Sequence, residues 1–274
     1  MPEILKQIKE IFAHHELLLR LAYKEIKFRY KHPILGILWA LIVPLAIILV
    51  FKIVFSLIIK IPLIEGYPFF VFLATAVFPW NFFQLSVSGC TLSIQENSNL
   101  IKKVYFPREI IPISIIVANF INFVITFIVI FPVLAFFRVR ISNLVILLPL
   151  VLLLQTIFTT GICLIFSGLQ VRFRDVKYIV EILLLIWFYL TPIFYPLDLV
   201  FNISRNFFNI YMLNPLTQII TLYRSVLLGG YIDTLPGSLN LFNLAVLSSV
   251  SSLAVFFIGF WIFNRHESEF ADLV

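Results

Sequence analysis

Long hydrophobic runs alternate with short polar segments along most of this chain. Five runs reach or exceed the ~20 residues that a helix needs to cross a bilayer, and a sixth is marginal. The pattern predicts an all-α polytopic membrane protein with a transmembrane domain over residues 34–263. Its six transmembrane helices are predicted at about residues 34–59, 68–90, 110–137, 144–169, 178–194 and 241–263.

The chain begins with a polar, basic segment, residues 1–33, and ends with a short tail, residues 264–274. From His15 to Lys31, apolar and basic residues alternate at roughly helical spacing. That composition is typical of an amphipathic helix in the membrane interface, and Pro33 would end it. A simple positive anchor that fixes topology is the alternative.

Residues 195–240 interrupt the pattern before the last run. Asn214 suits an N-cap, Pro215 suits a first helical position, and Gly229-Gly230 supplies a stop. The enclosed helix has 13 residues and rises ~20 Å, less than the ~30 Å hydrocarbon core. We expect re-entrant half-helices, or helices lying on the membrane surface. Four polar residues disfavour two extra spans: Arg205, Asn206, Asn209 and Arg224.

Positive charge orients the predicted spans. Of the 20 Lys and Arg residues, 14 lie in segments on the same side as the N-terminus. Because cytoplasmic loops are enriched in Lys and Arg, both termini are predicted to be cytoplasmic. The net charge of +6 therefore reflects topology, and no stripe of basic and aromatic residues indicates a nucleic-acid partner.

No pattern in the sequence indicates catalysis. None of the nine glycines is followed by lysine, so the chain carries no phosphate-binding loop. Paired carboxylates, a Ser-His-Asp set and metal-ligand spacings are also missing from the sequence. Cys90 and Cys163 fall in or beside apolar runs and are interpreted as small core residues. We predict a non-catalytic chain with no metal or cofactor of its own.

Uncharged polar residues recur every three or four positions on three predicted spans. Such a stripe either bonds to neighbouring helices or lines a pore. The stripes are Trp80, Gln84, Ser88 and Thr91; Asn119, Asn122 and Thr126; and Gln155, Thr159, Cys163 and Ser167. The first is the preferred pore candidate because aromatic residues, including Phe83, stand beside it.

Aromatic residues also crowd the outer end of the fifth run, at Trp187, Phe188, Tyr189, Phe194 and Tyr195. Their flat apolar faces suit sliding sugar rings, and equally suit a belt at the membrane interface. The predicted substrate path combines both regions: Trp80, Phe83, Gln84, Ser88, Trp187, Tyr189 and Tyr195. Nearby, Glu181 follows Lys177 by four positions, and an i,i+4 ion pair is expected.

The polar segment of residues 91–109 separates the second and third runs. Ser93-Ile94-Gln95-Glu96 fits a capping box that starts a helix over residues 93–106. Leu100, Ile101 and Val104 give that helix an apolar side, and Lys102 and Lys103 give it a basic end. Such a helix is either a plain turn at the membrane surface or a contact for a soluble partner.

Four stretches in this order resemble the transmembrane subunit of ABC-2 type ABC transporters. They are NLIKKVYFPREIIPIS, LQVRFRDVKYIVEILL, YLTPIFYP and LNPLTQIITLYRSVLLG. With the N-terminal helix and six spans, the resemblance covers almost the whole chain. It points to the polysaccharide-export branch, which includes capsule and teichoic acid exporters, and to the O-antigen type in particular.

The resemblance implies a homodimer in the inner (cytoplasmic) membrane, bound to two copies of a separate subunit that holds ATP and Mg. The cargo would be a polysaccharide on a polyprenyl diphosphate lipid, moved through a channel at the dimer interface. Contacts with the ATPase would involve Ser93, Glu96, Leu100, Ile101, Lys102, Lys103, Val104, Tyr105, Arg172, Arg174 and Asp175. Arg29, Lys31, Arg172 and Arg174 would attract the diphosphate, unless they serve only as the positive-inside signal. Asn214, Pro215 and Arg224 would belong to the outer gate.

Three rival functions make different demands on the sequence. An ABC-2 drug or lipid exporter would show fewer aromatic residues beside the polar stripe. A polytopic membrane enzyme acting on polyprenyl-linked sugars would need clustered catalytic groups, which the sequence lacks. An ion channel would need a repeated filter-like segment, and none is present.

Overall fold

The computed structural model describes residues 9–30, 38–58, 67–237, 239–267 and 270. Within them the chain is helical, as predicted, and Ile141 and Leu228 form the only β-bridge. In chain order the helices are α1 (His15–Tyr30), α2 (Trp39–Phe51), α3 (Phe69–Glu96), α4 (Ser98–Lys103), α5 (Ile110–Phe136), α6 (Leu148–Arg172), α7 (Val176–Tyr189), α8 (Leu197–Ile203), α9 (Arg205–Tyr211), α10 (Pro215–Leu227) and α11 (Leu241–Glu267). A π-helix (Lys52–Ile58) extends α2, and 3-10 helices lie at Asn143–Leu147 and Tyr231–Thr234.

Within the described residues, four helices are long and apolar enough to cross a membrane. They are α3, α5, α11 and the continuous helix Asn143–Arg172, which correspond to four of the six predicted spans. The apolar part of the first predicted span is a shorter helix, Leu41–Phe55, and residues 34–37 and 59 lie outside the described part of the chain. With 14 residues, α7 rises ~21 Å, less than the hydrocarbon core. Two of the six spans therefore remain predictions.

The end of the fifth predicted span differs from the structure. α7 stops at Tyr189, before the predicted boundary at residue 194. Pro192 lies two residues after Leu190, the residue that caps α7, and a proline restricts the residue before it to extended conformations. Residues 190–196 form a turn instead, and Thr191 in that turn donates a hydrogen bond to the carbonyl of Trp187 at 2.7 Å.

α6 and α11 pack closely because two glycines face each other where the helices cross. A Cβ placed on Gly259 would lie 2.1 Å from the carbonyl oxygen of Gly161, and a Cβ on Gly161 would lie 2.6 Å from the carbonyl oxygen of Val255. Small residues permit this backbone contact between apolar helices. Ser248 and Ser252 of α11 are likewise fully buried.

The predicted 13-residue helix is α10, and its ends agree with the sequence signals. Pro215 is its first residue, and Asn214 Oδ1 accepts a hydrogen bond from the Leu216 amide at 3.1 Å. Every residue from Leu216 to Leu227 is buried. α10 contacts α3, α6 and α11, so the bundle encloses it and it is not an exposed helix. Its 12 buried residues include polar ones that bond to the surrounding helices.

A smaller hydrophobic cluster, named the second cluster, lies apart from the main core at the end of the bundle where α4 lies. It joins α4 to the ends of α3, α6 and α11 through Ile94, Ile101, Val171 and Phe263. Leu17, Leu18 and Leu21 of α1 pack against this cluster, so part of the apolar side of α1 contacts protein. Lys24 of α1 also donates a hydrogen bond to Asn97 Oδ1 at 3.1 Å.

The predicted capping box at Ser93 is wrong. α3 continues through Ser93 to Glu96, and the Ser93 hydroxyl donates to the Cys90 carbonyl at 2.7 Å, inside the helix. The polar segment of 93–106 therefore divides into the end of α3, the six-residue α4 and an extended stretch. Asn97 separates the two helices, and its side-chain amide donates to the Ser93 carbonyl at 2.9 Å.

Candidate translocation groove and coupling surface

A groove of about 690 Å³ lies between α2, α3 and α7. Most of its wall is apolar, with polar groups from Trp80, Asn81, Gln84, Ser88 and Glu181. The remaining lining residues are Ala46, Ile47, Val50, Phe51, Val77, Leu184, Leu185, Phe188 and Tyr189. We call this space the α3–α7 groove. Concave sites of this size with a few polar groups are typical of ligand binding.

Four of the seven predicted substrate-path residues line this groove: Trp80, Gln84, Ser88 and Tyr189. Trp80 Nε1 donates to Gln84 Oε1 at 2.9 Å, one helical turn away. This bond holds the indole and the amide on the same face of α3. An aromatic ring can stack on the apolar face of a sugar, and the amide and hydroxyl groups beside it can form hydrogen bonds with the hydroxyls of that sugar.

Phe83 and Trp187 lie behind the groove wall instead. Phe83 is fully buried and stacks on Phe158 with ring centroids 5.6 Å apart. Trp187 packs edge-on against Phe83 at 5.3 Å, and its Nε1 donates to Asn214 Oδ1 at 2.9 Å. These large rings therefore pack against one another and join α3, α6 and α7.

Tyr195, the seventh predicted residue, belongs to the turn after α7. Its hydroxyl donates to the carbonyl of Tyr189 at 2.9 Å and lies 2.6 Å from the hydroxyl of Tyr211 in α9. Tyr195 does not line the groove. It connects α9 to the end of α7, beside Tyr189.

The two other polar stripes are closed. Gln155, Thr159, Cys163 and Ser167 of α6 are completely buried, and Asn119, Asn122 and Thr126 of α5 are nearly so. Gln155 Nε2 donates to the carbonyl of Pro79 at 2.7 Å, and Gln155 Oε1 accepts from Tyr223 at 2.6 Å. The α6 stripe therefore contacts neighbouring helices, whereas the α3 stripe opens on the groove at Gln84 and Ser88. Thr91, the last member of the α3 stripe, is buried and donates to the Val87 carbonyl at 2.7 Å.

Asn81 and Glu181 line the groove but were not predicted to do so. The expected ion pair between Lys177 and Glu181 is not formed: among the described residues the single ion pair joins Lys24 and Glu25. Lys177 Nζ instead lies 4.7 Å from the centre of the Tyr178 ring. The exposed Glu181 is left free to face the groove. Glu181 lies three residues before Leu184, so helical spacing puts the two on the same face of α7, and that spacing could have indicated its place in the groove.

The predicted coupling residues divide by exposure. Ser93 and Ile101 are buried and Leu100 is half-buried, so these three hold α4 on the bundle. Tyr105 is fully exposed (100%) on an extended stretch that begins at Val104. The other exposed members are Glu96, Lys102, Lys103, Val104, Arg172, Arg174 and Asp175. These exposed residues are named the coupling surface below.

Two glutamines bring the two halves of the coupling surface together. Gln95, near the end of α3, donates to the carbonyl of Gln170 in α6 at 3.2 Å. The Gln170 side chain accepts from the Lys177 amide at 2.7 Å and donates to the Arg174 carbonyl at 3.0 Å. The turn between α6 and α7 is thus attached to the end of α3.

Of the predicted diphosphate-binding residues, Arg172 and Arg174 are exposed in this turn. The Arg29 side chain and Lys31 lie outside the described residues. A diphosphate site is therefore still a prediction, with its two described members close together in sequence.

The predicted outer-gate residues hold the turn after α7 against α10. Arg224 is completely buried, and its guanidinium donates to the carbonyls of Pro192 at 2.6 Å and Ile193 at 2.7 Å. The same group lies 3.6 Å from the centre of the Phe72 ring. A buried cation needs such partners because it has lost its hydration. Asn214 supports the turn as well, since its amide lies 3.3 Å from the Thr191 hydroxyl.

Glu109, just before α5, is a buried acidic residue that the sequence did not indicate. Its side chain is buried (1% exposed), and neither carboxyl oxygen has a hydrogen-bond partner among the described residues. Burial, reinforced by the Glu267 and Glu10 carboxylates, raises the pKa of Glu109 to about 7. The adjacent Arg108, which favours the charged form, donates to the carbonyl of Glu267.

Comparison with known families decides the class of protein. The family model for the ABC-2 type transporter matches residues 16–228, which include the groove, the coupling surface and α10. This chain belongs to the ABC-2 type transporter family. Membership confirms the expected transport class and makes the chain a polytopic membrane protein, related to permeases and not to enzymes.

Curated relatives of this ABC-2 chain extend over nearly its full length. An O-antigen export system permease protein of Myxococcus xanthus is 31% identical over 99% of this chain and 100% of its own. A Klebsiella pneumoniae protein with the same description is 33% identical over 94% of this chain and 95% of its own. A polysialic acid transport protein of Escherichia coli is 26% identical over 89% of this chain and 91% of its own.

Proposed function

We propose that this chain is the channel-forming permease subunit of an ATP-driven exporter. Its cargo is a polysaccharide linked to polyprenyl diphosphate, of the O-antigen type, which it moves across the inner (cytoplasmic) membrane. The observation that carries the proposal is the α3–α7 groove, where Trp80, Gln84 and Ser88 lie on one face of a membrane-crossing helix. Relatives described as O-antigen export permeases support the choice of cargo.

The groove supplies the contacts that a moving glycan requires. Exposed Tyr189 presents a flat ring to the apolar faces of sugars, and Asn81, Gln84 and Ser88 exchange hydrogen bonds with hydroxyls. Trp80 is largely buried and supports this wall from behind, through its hydrogen bond to Gln84. The apolar remainder of the wall gives no strong fixed partner. Such a surface binds each unit weakly and lets the next unit replace it. A second copy of the chain, related by two-fold symmetry, would complete the channel around it.

Energy comes from a partner because the chain has no phosphate-binding loop. Two ATP-binding subunits, each holding ATP and Mg, would dock on the coupling surface of the homodimer. Exposed Tyr105 offers an apolar contact and Lys102 and Lys103 offer charges, while buried Ile101 fixes α4 on the bundle. This arrangement passes a push on α4 directly into α3.

The topology proposed for the subunit has six spans with both termini in the cytoplasm. α2 and α7 supply the two spans that are shorter than the others. α10 is the re-entrant half-helix, which is supported by its burial among α3, α6 and α11. Polar groups at that depth are tolerated because protein covers them.

Charge reversal tests the docking proposal. The double variant Lys102→Glu and Lys103→Glu should reduce co-purification with the cognate ATP-binding subunit at least tenfold, because two favourable contacts become repulsive. Coupled ATPase activity in proteoliposomes should fall in parallel. Arg205→Glu is the matched control, since Arg205 is also exposed but lies in α9 near the other end of the bundle. Unchanged association of the double variant would sink the assignment of α4.

Export itself is tested in a host that lacks its own permease and makes a neutral lipid-linked O-polysaccharide. The chain and its ATP-binding subunit should restore polymer at the cell surface. Joint replacement of Ser88 and Tyr189, both exposed in the groove, by alanine should reduce surface polymer severalfold and leave co-purification of the subunits intact. Absence of surface polymer with the unaltered chain and a bound ATPase would contradict the proposed cargo.

A further inference from the structure

The α3–α7 groove contains one charged side chain. Glu181 lines it together with the uncharged polar residues Trp80, Asn81, Gln84 and Ser88, and no Lys, Arg or His is among the lining residues. Among the described residues, Glu181 has no hydrogen-bond or ion-pair partner. The cation one turn earlier, Lys177, lies over the Tyr178 ring. In the part of the chain that the structure describes, the groove therefore holds a carboxyl group with no paired basic side chain.

We infer that Glu181 makes the permease selective for glycans whose repeat units are uncharged, and that it discriminates against polymers with an acid in each repeat. The inference rests on the proposed function and specifies the class of polysaccharide. A carboxylate accepts hydrogen bonds and donates none, so it suits sugar hydroxyls. The same carboxylate repels uronate or sialate groups, and repulsion across a partly apolar wall is stronger than repulsion in bulk water.

A single carboxylate can discriminate between polymers because every repeat unit passes it in turn. A polymer with an acid in each repeat presents a new negative charge to Glu181 every time it advances by one repeat. The diphosphate of the lipid carrier is also anionic, but it passes only once in the export of a whole polymer. A neutral polymer meets no repulsion at any step. Like charges that must be brought together are a common means of rejecting the wrong partner.

The other polar side chains of the groove accept either kind of polymer. Asn81 and Gln84 each carry an amide that both donates and accepts, and Ser88 carries a hydroxyl that does the same. The exposed ring of Tyr189 can stack on sugar rings regardless of charge. Discrimination by charge is therefore assigned to Glu181 alone, which makes the inference testable by one substitution.

The test uses the full exporter in a host lacking its own permease and compares two lipid-linked polymers. One polymer is neutral, and the other carries one uronic acid per repeat. Surface polymer is measured relative to total polymer for each. The unaltered chain should export the acidic polymer at least tenfold less efficiently than the neutral one. Glu181→Gln should raise the acidic-to-neutral export ratio at least fivefold, and Glu181→Lys should raise it further.

Two variants separate charge from other causes. Glu181→Asp keeps the charge and should keep the original ratio, and Glu16→Gln removes an exposed carboxylate of α1, away from the groove. The related polysialic acid transport protein, with its own ATPase, verifies that the host can export an acidic polymer. An unchanged ratio in Glu181→Gln, or equal changes in the Gln and Asp variants, overturns the inference. Failure of the unaltered chain to export even the neutral polymer would instead refute the proposed function.

Discussion

The polar stripes of α3 and α6 look alike in the sequence and face different surroundings in the structure. Both place amide, hydroxyl or indole groups every three or four residues on an apolar helix. The α6 stripe is enclosed because α11 approaches to backbone contact at Gly259 and α10 covers Gln155 through Tyr223. Gln84 and Ser88 of the α3 stripe stay open because, in the described part of the chain, α2 and the short α7 flank them without closing over them. The helices that pack over a polar stripe therefore determine whether it forms hydrogen bonds inside the bundle or faces a groove, and the sequence of the stripe does not.

The largest expected effect comes from separating α6 and α11. Gly259→Ala should lower the free energy of unfolding by more than about 3 kcal/mol, because its Cβ would overlap the Gly161 backbone, which cannot move aside as a side chain can. Thermal unfolding in detergent measures the loss. Gly168→Ala is the matched control in α6, since its Cβ would meet atoms of α11 no closer than 3.5 Å. Equal stability of the two variants would contradict the close crossing.

Glu109 differs from the residues of both stripes, because its carboxyl group is buried and has no hydrogen-bond partner among the described residues. With its pKa raised to about 7, the folded protein keeps a proton that the unfolded chain releases near pH 4.5. Stability is therefore present at low pH and lost as pH rises through about 7, by about 3 kcal/mol in all. Glu109→Gln should remove this loss, so that the variant is more stable than the unaltered chain at pH 8.

Unfolding temperatures at pH 5 and pH 8 check this prediction. Glu267→Gln serves as the comparison, because it removes a nearby carboxylate and should lower the pKa of Glu109 only slightly. A Glu109→Gln variant with the same pH dependence as the unaltered chain would show that Glu109 is not the titrating group.

A pair of identical substitutions compares the stripes most directly. Gln155→Leu should lower the free energy of unfolding by about 2 kcal/mol, because it leaves the Tyr223 hydroxyl unpaired in a buried site. Gln84→Leu should cost less, about 1 kcal/mol, because Gln84 itself is exposed and its loss leaves only the Trp80 indole N–H, at the edge of the groove, without its partner. Export per amount of folded protein should show the opposite order. It should fall severalfold in Gln84→Leu and less in Gln155→Leu. Equal stability losses would mean that both stripes are closed.

Much of the helical framework was predictable from the sequence. Hydrophobic runs are long compared with turns, so four spans were located within a few residues at most boundaries, and Asn214-Pro215 marked the start of α10. Ser93 was misassigned because a capping box is a local pattern, and packing of Ile94 in the second cluster extends α3 past it. The end of α7 was missed because Pro192 lies in a run that remains apolar beyond the helix.

The site was less predictable because it depends on contacts between distant segments. Sequence indicated Trp80, Gln84 and Ser88 through their spacing, but gave no sign that Phe83 would turn toward Phe158. Arg224 was predicted near an outer gate, and its two backbone acceptors at Pro192 and Ile193 are 32 and 31 residues away in the chain. Glu181 was paired with Lys177 by a local rule that the Tyr178 ring overrides.

The unbroken course of α3 has a mechanical consequence. The helix runs without interruption from Trp80 in the groove to Glu96 beside α4, a distance of about 24 Å at 1.5 Å per residue. A rod of that length tilted by about 5° about one end displaces its other end by about 2 Å, close to the radius of an α-helix backbone. The bending stiffness of α3 between Glu96 and Trp80 therefore determines how far the Trp80 indole moves when α4 is displaced.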